Sequence, residues 1–525
     1  MWDAIGTPAT DAVSPPTGSA ERSFCPQSQR KFVLIAAILA SALGFIDGSV
    51  LAIAIPAIRA DLGASLVEAQ WISNAYALTL SALILAGGTA GDRFGLRRVF
   101  SVGIAFFVAA SMACVVAPNP AVLIACRAIQ GIGAAIMVPC SLAIIAKAYP
   151  KKERGRAIGI WAAASALTTS LGPILGGLVL SAFGDGIWRA IFAINLPLGG
   201  LAIFLLLTKV PDDVPTEKRS LDLGGAVLAT AAFGSMAYGL TSMSSESASG
   251  AASHSLTAVV AGLLVLIAFI WWERRQREPM IELGLFANRA FSGANIATFF
   301  LYFSLSAILF YLPMLLIAGW GLNTAVVGFT FVPLSVAIAI LSGPVGNLSD
   351  RAGPRFPIAA GSLLVALAFA GSAVTVGMGI RDFWLGIFPF MVVMGIGMAL
   401  VVSPLSTAIM TSVEDRDTGA ASGINNAVSR IGGLMAVAAM GSVAAWAYGW
   451  ALGPQGVAGM PGFGEPLTAA IGESLDAARI AASDFAFSAV AWATAGLCFV
   501  SAIVAWVSVP GSALPWRNWA QDRHP

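Results

Sequence analysis

Charge is what this sequence has least of. Lys, Arg, Asp and Glu supply only 11% of its 525 residues, against roughly a quarter in an ordinary soluble chain. With 58% hydrophobic residues and a mean hydropathy of +0.83, there is too little polar surface to cover a water-soluble globule of this length. The net charge of +2 creates no field that would gather nucleic acid, which is excluded as a partner. The five cysteines (Cys25, Cys114, Cys126, Cys140 and Cys498) show no paired or CxxC spacing, so neither a disulfide framework nor a zinc module is expected, and no metal site. Two histidines, His254 and His524, leave almost no material for His-based catalysis. No GxxxxGK[ST] loop is present to bind ATP. A membrane enzyme or sensor would need a soluble domain or a catalytic cluster outside the membrane, and the inner loops are too short for one.

What is there instead is a series of long uncharged apolar runs. A membrane helix needs about 20 apolar residues, and fourteen runs qualify: 32–58, 71–91, 99–117, 122–146, 157–183, 191–208, 223–243, 256–272, 291–317, 325–348, 356–380, 383–413, 419–450 and 486–509. The runs are continuous, where a barrel strand would alternate apolar and polar residues, so the expected fold is an all-α integral membrane protein. Charges enter only the first, fourth and thirteenth runs, as Asp47, Arg127 and Arg430. With fourteen spans, 23 of the 29 Lys and Arg fall on the side of both termini. Only Arg59, Arg189, Arg381 and Arg479 fall in loops on the other side. By the positive-inside rule both termini are cytoplasmic. Trp71, Trp188, Trp271, Trp272 and Trp384 fall near span ends, where interfacial anchors are expected. The outer loop 451–485 is long, with a surface helix expected at 467–482.

The loop after the second span carries Gly88, Asp92, Arg93, Gly95 and Arg97. The loop after the tenth carries Gly346, Asp350, Arg351, Gly353 and Arg355 at the same internal spacing. This is a parallel internal repeat, the arrangement of two halves that rock about a central site. It predicts a cytoplasmic tail at 1–31, disordered and not a cleaved signal, a six-helix lobe at 32–208, a linker with two extra membrane helices at 209–290, a second six-helix lobe at 291–509 and a cytoplasmic tail at 510–525. The glycines allow close helix approach, and Asp and Arg can lock the inner face in one conformation. The plainer alternative is a pair of tight turns with snorkelling arginines.

With these features the chain resembles the fourteen-span drug:proton antiporter family of the major facilitator superfamily, from about Lys31 to about Val509. The first span, from Phe45 through Asp47 and Gly48 to Pro56, is similar to that family's first-helix motif. The fourth, with Arg127, Gln130, Gly131, Gly133 and Ala135, is similar to its Arg-containing motif. Gly159, Gly172, Pro173, Gly176 and Gly177 in the fifth are similar to the motif associated with antiporters, with Thr168 standing where the full pattern has glycine. Threonine is small and can bond back to its own helix, so little damage is expected. Segments from Trp188 through Arg189, Phe192 and Asn195 to Pro197, from Leu285 to Phe291, and from Gly419 through Ser422, Gly423 and Asn425 to Asn426 are also family-like. The resemblance implies a major facilitator fold and proton-driven export, without cofactors, of lipophilic or cationic small molecules from the cell, through the inner membrane and as a monomer. A dedicated exporter of one endogenous metabolite or antibiotic is the alternative.

Asp47 is the one acid inside these runs. A carboxylate there must face a cavity, pair with a cation or take up a proton, which is what a proton-coupled carrier needs. The plainer reading is a structural carboxylate at a helix break near Gly48. Arg127 keeps its proton at accessible pH, so its expected part is to modulate an acid or orient polar groups such as Gln130 and Asn74, or else to snorkel outward. In the resembled family the matching Arg is tied to proton coupling. The Gly-Pro segment of the fifth span is expected to act as hinge or seal. Phe299, Phe303 and Tyr311, with Phe300, Tyr302 and Phe310, are candidates for an aromatic cavity. Arg430 has no acidic partner in its own lobe's spans. The tenth span carries no acid, whereas relatives that handle divalent cations have one there, so monovalent cations or neutral lipophiles are the expected substrates.

Overall fold

A computed structural model describes residues 24–213, 222–246, 252–414, 417–453, 460–465, 467 and 472–511. Among these there is no strand, and fourteen helices are long and apolar enough to cross a membrane. They are α1 (Gln27–Leu62), α2 (Leu66–Phe94), α3 (Leu96–Val115), α4 (Pro120–Ala148), α5 (Glu153–Phe183), α6 (Asp185–Lys209, in helical pieces), α7 (Leu223–Met243), α8 (His254–Glu273), α9 (Arg289–Gly319), α10 (Thr324–Ser349), α11 (Arg355–Gly377), α12 (Phe383–Thr411), α13 (Thr418–Leu452) and α14 (Glu473–Ser508). Most of the tails expected at 1–31 and 510–525, and much of the loop 451–485, lie outside the described residues.

Local chemistry sets the helix ends. Ser65 caps α2 in a capping box: its hydroxyl accepts from the Glu68 amide, and the Glu68 carboxylate accepts from the Ser65 amide. Asn119 caps α4 ahead of Pro120. Between α2 and α3 the chain turns on Gly95 (φ +94°), and between α10 and α11 on Gly353 (φ +83°). Both copies of the repeat therefore need glycine there for the same backbone reason.

The helix pairing repeats as the sequence does. α1 packs on α5 and α6, α2 on α4, and α3 on α4 and α6. In the second half α9 packs on α13 and α14, α10 on α12, and α11 on α12 and α14. Two seams join the bundles, α2 against α13 and α5 against α10, and each is the repeat equivalent of the other. The extra helix α7 lies along the α2–α13 seam: Gly234 faces Leu78, and the Ser442 hydroxyl donates to the Leu240 carbonyl at 2.6 Å. It is therefore a packed element of the bundle interface as well as part of a linker.

The structure corrects three expectations at helix ends. At about 1.5 Å per residue, the 36-residue helices α1 and α14 outrun a hydrocarbon core of about 30 Å. α1 starts at Gln27, inside the expected tail, because Pro26 suits a helix N-terminus and nothing after it breaks the helix. Among the described residues of 467–482 no separate surface helix is seen. From Glu473 onward those residues are the first turns of α14, since neither Gly nor Pro separates them from the apolar part. Arg479 and Asp484 are thereby buried inside a helix, at 5% and 4% exposure. Trp188 is fully buried, not interfacial. Its indole donates to Asp61 and the Arg189 guanidinium stacks on its ring.

Candidate coupling site and bundle seams

α1 and α4 bring Asp47 and Arg127 together, 80 residues apart in sequence. Arg127 Nη1 donates to Asp47 Oδ2 at 2.5 Å and to Gln130 Oε1 at 2.5 Å, and its Nε donates to the Ile72 carbonyl at 3.0 Å. Gln130 Nε2 closes the ring, donating to Asp47 Oδ1 at 2.9 Å and to the Ser111 hydroxyl at 2.8 Å. Asn195 donates to the same hydroxyl at 3.1 Å. The Arg127 guanidinium lies over the Tyr76 ring, 4.3 Å from its centroid. Asp47 and Arg127 are each 1% exposed. Five helices of the first bundle thus contribute to one sealed polar network, and Arg127 turns inward instead of snorkelling.

Sequence reasoning found Asp47, Arg127 and Gln130 but missed Ser111, Tyr76 and Asn195. The Asn195 segment was recognisable as family-like without its role. Asn74 does not join: it is fully buried and neither of its side-chain polar atoms has a hydrogen-bond partner. Gly131 sits at the α2–α4 crossing, where a Cβ would overlap the Tyr76 carbonyl and Thr79 hydroxyl oxygens.

The antiporter-like glycines divide their work. A Cβ on Gly172 would stand 2.5 Å from Ser49 Oγ and one on Gly176 2.7 Å from Val50 Cγ1, so both face α1. A Cβ on Gly177 would overlap the Thr324 carbonyl oxygen of α10, and one on Gly328 would stand 2.9 Å from the Pro173 carbonyl oxygen. The Thr324 hydroxyl donates to the Gly177 carbonyl at 2.9 Å. Here two bundles touch backbone to backbone. Thr168 bonds back to the carbonyls of Ala164 and Ser165, and Gly159 meets nothing within 4 Å.

The face on which α1 begins carries both repeat loops and is called the motif face. The bundles are joined at the opposite face by Gly177–Thr324 and two further sets of bonds. Gln70 donates to Tyr311 Oη at 2.7 Å and to the Val437 carbonyl at 2.9 Å. Arg59 donates to the Phe463 carbonyl at 2.8 Å and pairs with Glu465, and the Phe463 ring is buried between Tyr311 and Tyr448. A 330 Å³ cavity at this face, lined by Pro56, Asp185, Trp320 and Arg479 among others, touches none of the residues of the Asp47–Arg127 network.

On the motif face, Arg97 donates to the Leu206 and Leu207 carbonyls at the end of α6 and pairs with Asp212 at 2.6 Å. Its repeat equivalent Arg355 donates to the Val509 carbonyl at the end of α14 and stacks near Trp506. These arginines tie the third helix of each bundle to the sixth. Gly88 and Gly346 lie in α2 and α10. Asp92 and Arg93 are exposed, with Arg93 stacked on Phe94, and Arg351 is also exposed. The Asp350 side chain lies outside the described set.

Asp213 holds the first motif loop. Its carboxylate accepts from the Leu96 and Arg97 amides at 3.0 and 2.9 Å and pairs with Lys147 at 2.9 Å. Burial raises its pKa, but the amide bonds and Lys147 outweigh burial and hold it below the usual carboxylate range. Such a group adds stability above its unfolded pKa of about 3.9, and the gain is lost as pH falls through the lower folded value. Asp213→Ala is therefore expected to cost about 1–3 kcal/mol at neutral pH. The Tm difference from wild type in detergent should shrink on acidification below about pH 4. An equal deficit at all pH values would contradict this.

Of the aromatic candidates, Phe303 is buried and Tyr311 is buried at the seam with Gln70 of α2, whereas Phe299 and Tyr302 are half-buried. Arg430 is half-buried too, and its Nε donates to Asn426 Oδ1 at 2.9 Å. It reaches neither a backbone carbonyl nor the interface through that bond.

The family profile described as Major Facilitator Superfamily matches residues 37–437. The chain is 33% identical over 424 residues to the Multidrug resistance protein Stp of Mycobacterium tuberculosis, covering 78% of this chain and 76% of that one. It is 31% identical to the Tetracenomycin C resistance and export protein of Streptomyces glaucescens, covering 77% and 74%, and 32% identical to the Methylenomycin A resistance protein of Bacillus subtilis, covering 78% and 87%. Among solved structures, a bacterial homolog of the human lysosomal transporter Spinster, inward-facing and unoccupied, superposes with a TM-score of 0.65 at 18% identity, over 92% of this chain and 99% of that one. The chain is a multi-pass membrane transporter, not an enzyme, and it belongs to the major facilitator superfamily.

Proposed function

We propose that this transporter works as a monomer in the cell (inner) membrane, with both termini and the motif face cytoplasmic. It exports lipophilic small molecules in exchange for protons by alternating access. The observation that carries this reading is the Asp47–Arg127–Gln130 ring, a carboxylate held by a permanent cation, each of the two 1% exposed. When the bundles part at the opposite face, Asp47 exchanges its Arg127 contact for a proton. When they close, the ion pair reforms and the proton leaves toward the motif face. The units at 32–208 and 291–509 are the moving lobes. The duplicated loop glycines, acids and arginines form the cytoplasmic gate, and the α5–α10 contact at Gly177 is the outer seal. The names of relatives support export. Those named for one antibiotic each, such as tetracenomycin C or methylenomycin A, favour a second reading in which this chain serves a single compound.

The test is counterflow in proteoliposomes holding a pH-sensitive dye. A panel of lipophilic dyes and antibiotics, applied across an imposed pH gradient, should include compounds whose movement is matched by opposite proton movement and stops when a protonophore collapses the gradient. Transport indifferent to the gradient would refute the coupling.

A further inference from the structure

The charges buried at membrane depth do not cancel. Asp47 and Arg127 neutralise each other within the first bundle. The buried charges nearer the opposite face are also matched: Asp484 with Arg381, Arg479 with Asp476, and Arg59 with Glu465. Arg430 differs. It lies well inside α13, about 18 Å from the helix start at the usual rise, and among the described residues no carboxylate pairs with it. Its Nε is occupied by Asn426, which leaves both Nη groups free to donate. Both side chains are half-buried and not sealed, unlike Arg127. The polar groups that feel its charge are two phenols, Tyr302 of α9 and Tyr76 of α2 in the other bundle. Tyr76 already holds Arg127 over its ring. The half-exposed face of α13 around Arg430 presents Ser422, Asn426 and Ser429, with Phe299 half-buried on the neighbouring helix.

We infer that Arg430 is a substrate-anchoring residue and that the transported molecules are lipophilic acids, with a carboxylate or other anionic group seated on its free Nη edge. An uncompensated guanidinium at membrane depth is costly unless something pairs with it, and a planar donor fork is the group best matched to a carboxylate. Phe299 and Tyr302 supply an apolar wall for the ring or chain that carries the anion. A lipophilic cation placed there would be repelled by Arg430 with no carboxylate to offset it. The inference rests on the export reading and narrows its substrate class from lipophilic to lipophilic and acidic.

Tetraphenylborate and tetraphenylphosphonium, close in shape and opposite in charge, test it by direct binding to the purified full-length protein in nanodiscs, with empty nanodiscs as the partition control. Tetraphenylborate carries the negative charge without hydrogen-bond acceptors, so it reads the charge preference alone and should bind at least about tenfold more tightly. Arg430→Gln should abolish the preference and Arg430→Lys should keep part of it. Equal affinities, or a preference that survives Arg430→Gln, would overturn the inference. The wild-type comparison needs no variant, so it decides the matter even if Arg430→Gln does not fold. Binding needs no proton coupling, so the two readings fail separately. Proton exchange without anion preference refutes only this assignment, and anion preference without proton exchange refutes only the coupling.

Discussion

Asp47→Asn yields a protein that inserts and binds substrate but no longer couples transport to protons. Asn keeps one oxygen acceptor, enough for Arg127, but turns an NH2 toward the Gln130 amide nitrogen, so the ring among α1, α4 and α3 loses one bond and keeps those from Gln130 to Arg127 and Ser111. What is lost is the charge and the ability to carry a proton. Arg127, 1% exposed, then has no counter-ion, and breaking a buried pair by removing one partner costs about 3–5 kcal/mol in a soluble core. Some loss of thermal stability is expected beside the functional loss. The two effects separate by readout. In the counterflow assay the variant should move no protons against substrate at any imposed gradient, while substrate exchange without a gradient survives. Arg127→Ala, by contrast, strands the carboxylate and loses the bonds to Ile72 and Gln130 as well, so it should lose folded yield first. Gradient-driven export by Asp47→Asn at the wild-type rate would remove Asp47 from the mechanism.

How much of this was legible in the sequence differs from residue to residue. The spans were legible because hydrocarbon forces every helix that crosses it to show a long uncharged run. Asp47 and Arg127 stood out singly for the same reason, since each interrupts such a run. Their pairing was not visible, because contact between α1 and α4 is a property of the fold. The same holds for Gln70 with Tyr311 and for Gly177 with Thr324, each a contact between bundles. Ser111 carries no signal at all, being one small hydroxyl in an apolar run. The failures cluster at helix ends, where drawing spans from uncharged residues stops too early. Asp484 and Arg479 are buried by neighbours and paired, yet their charges placed them in a loop. Trp188 failed likewise, since a tryptophan near a span end also has the option of packing under its own loop. The repeat was legible as a spacing pattern, but the reason for its central glycines, a positive φ at Gly95 and Gly353, needed the backbone.

Gly177→Val should trap the transporter away from the state seen here. A Cβ at Gly177 has no room, because the obstacle is the Thr324 backbone carbonyl, which cannot rotate aside as a side chain tip would. Overpacking of this kind costs about 1–3 kcal/mol, which corresponds to a factor of about 5–150 in the balance between two conformations. The cost falls only on the state in which α5 and α10 touch at the opposite face. The packing of α5 on α1 rests on Gly172 and Gly176, which the substitution leaves alone. The protein should therefore fold and insert, with its population moved toward opening at that face and its transport cycle slowed by a similar factor. Hydrogen exchange around 174–183 and 324–332 should rise, and the Gln70–Tyr311 contact should loosen with it. Gly159→Ala, in the same sequence motif, is the matched control. Nothing lies within 4 Å of its Cβ position, so it should leave exchange and transport unchanged. If both glycines prove equally sensitive, the seal at α5–α10 is wrong and the motif acts through the helix itself. If both prove silent, the two bundles do not need to meet there for transport.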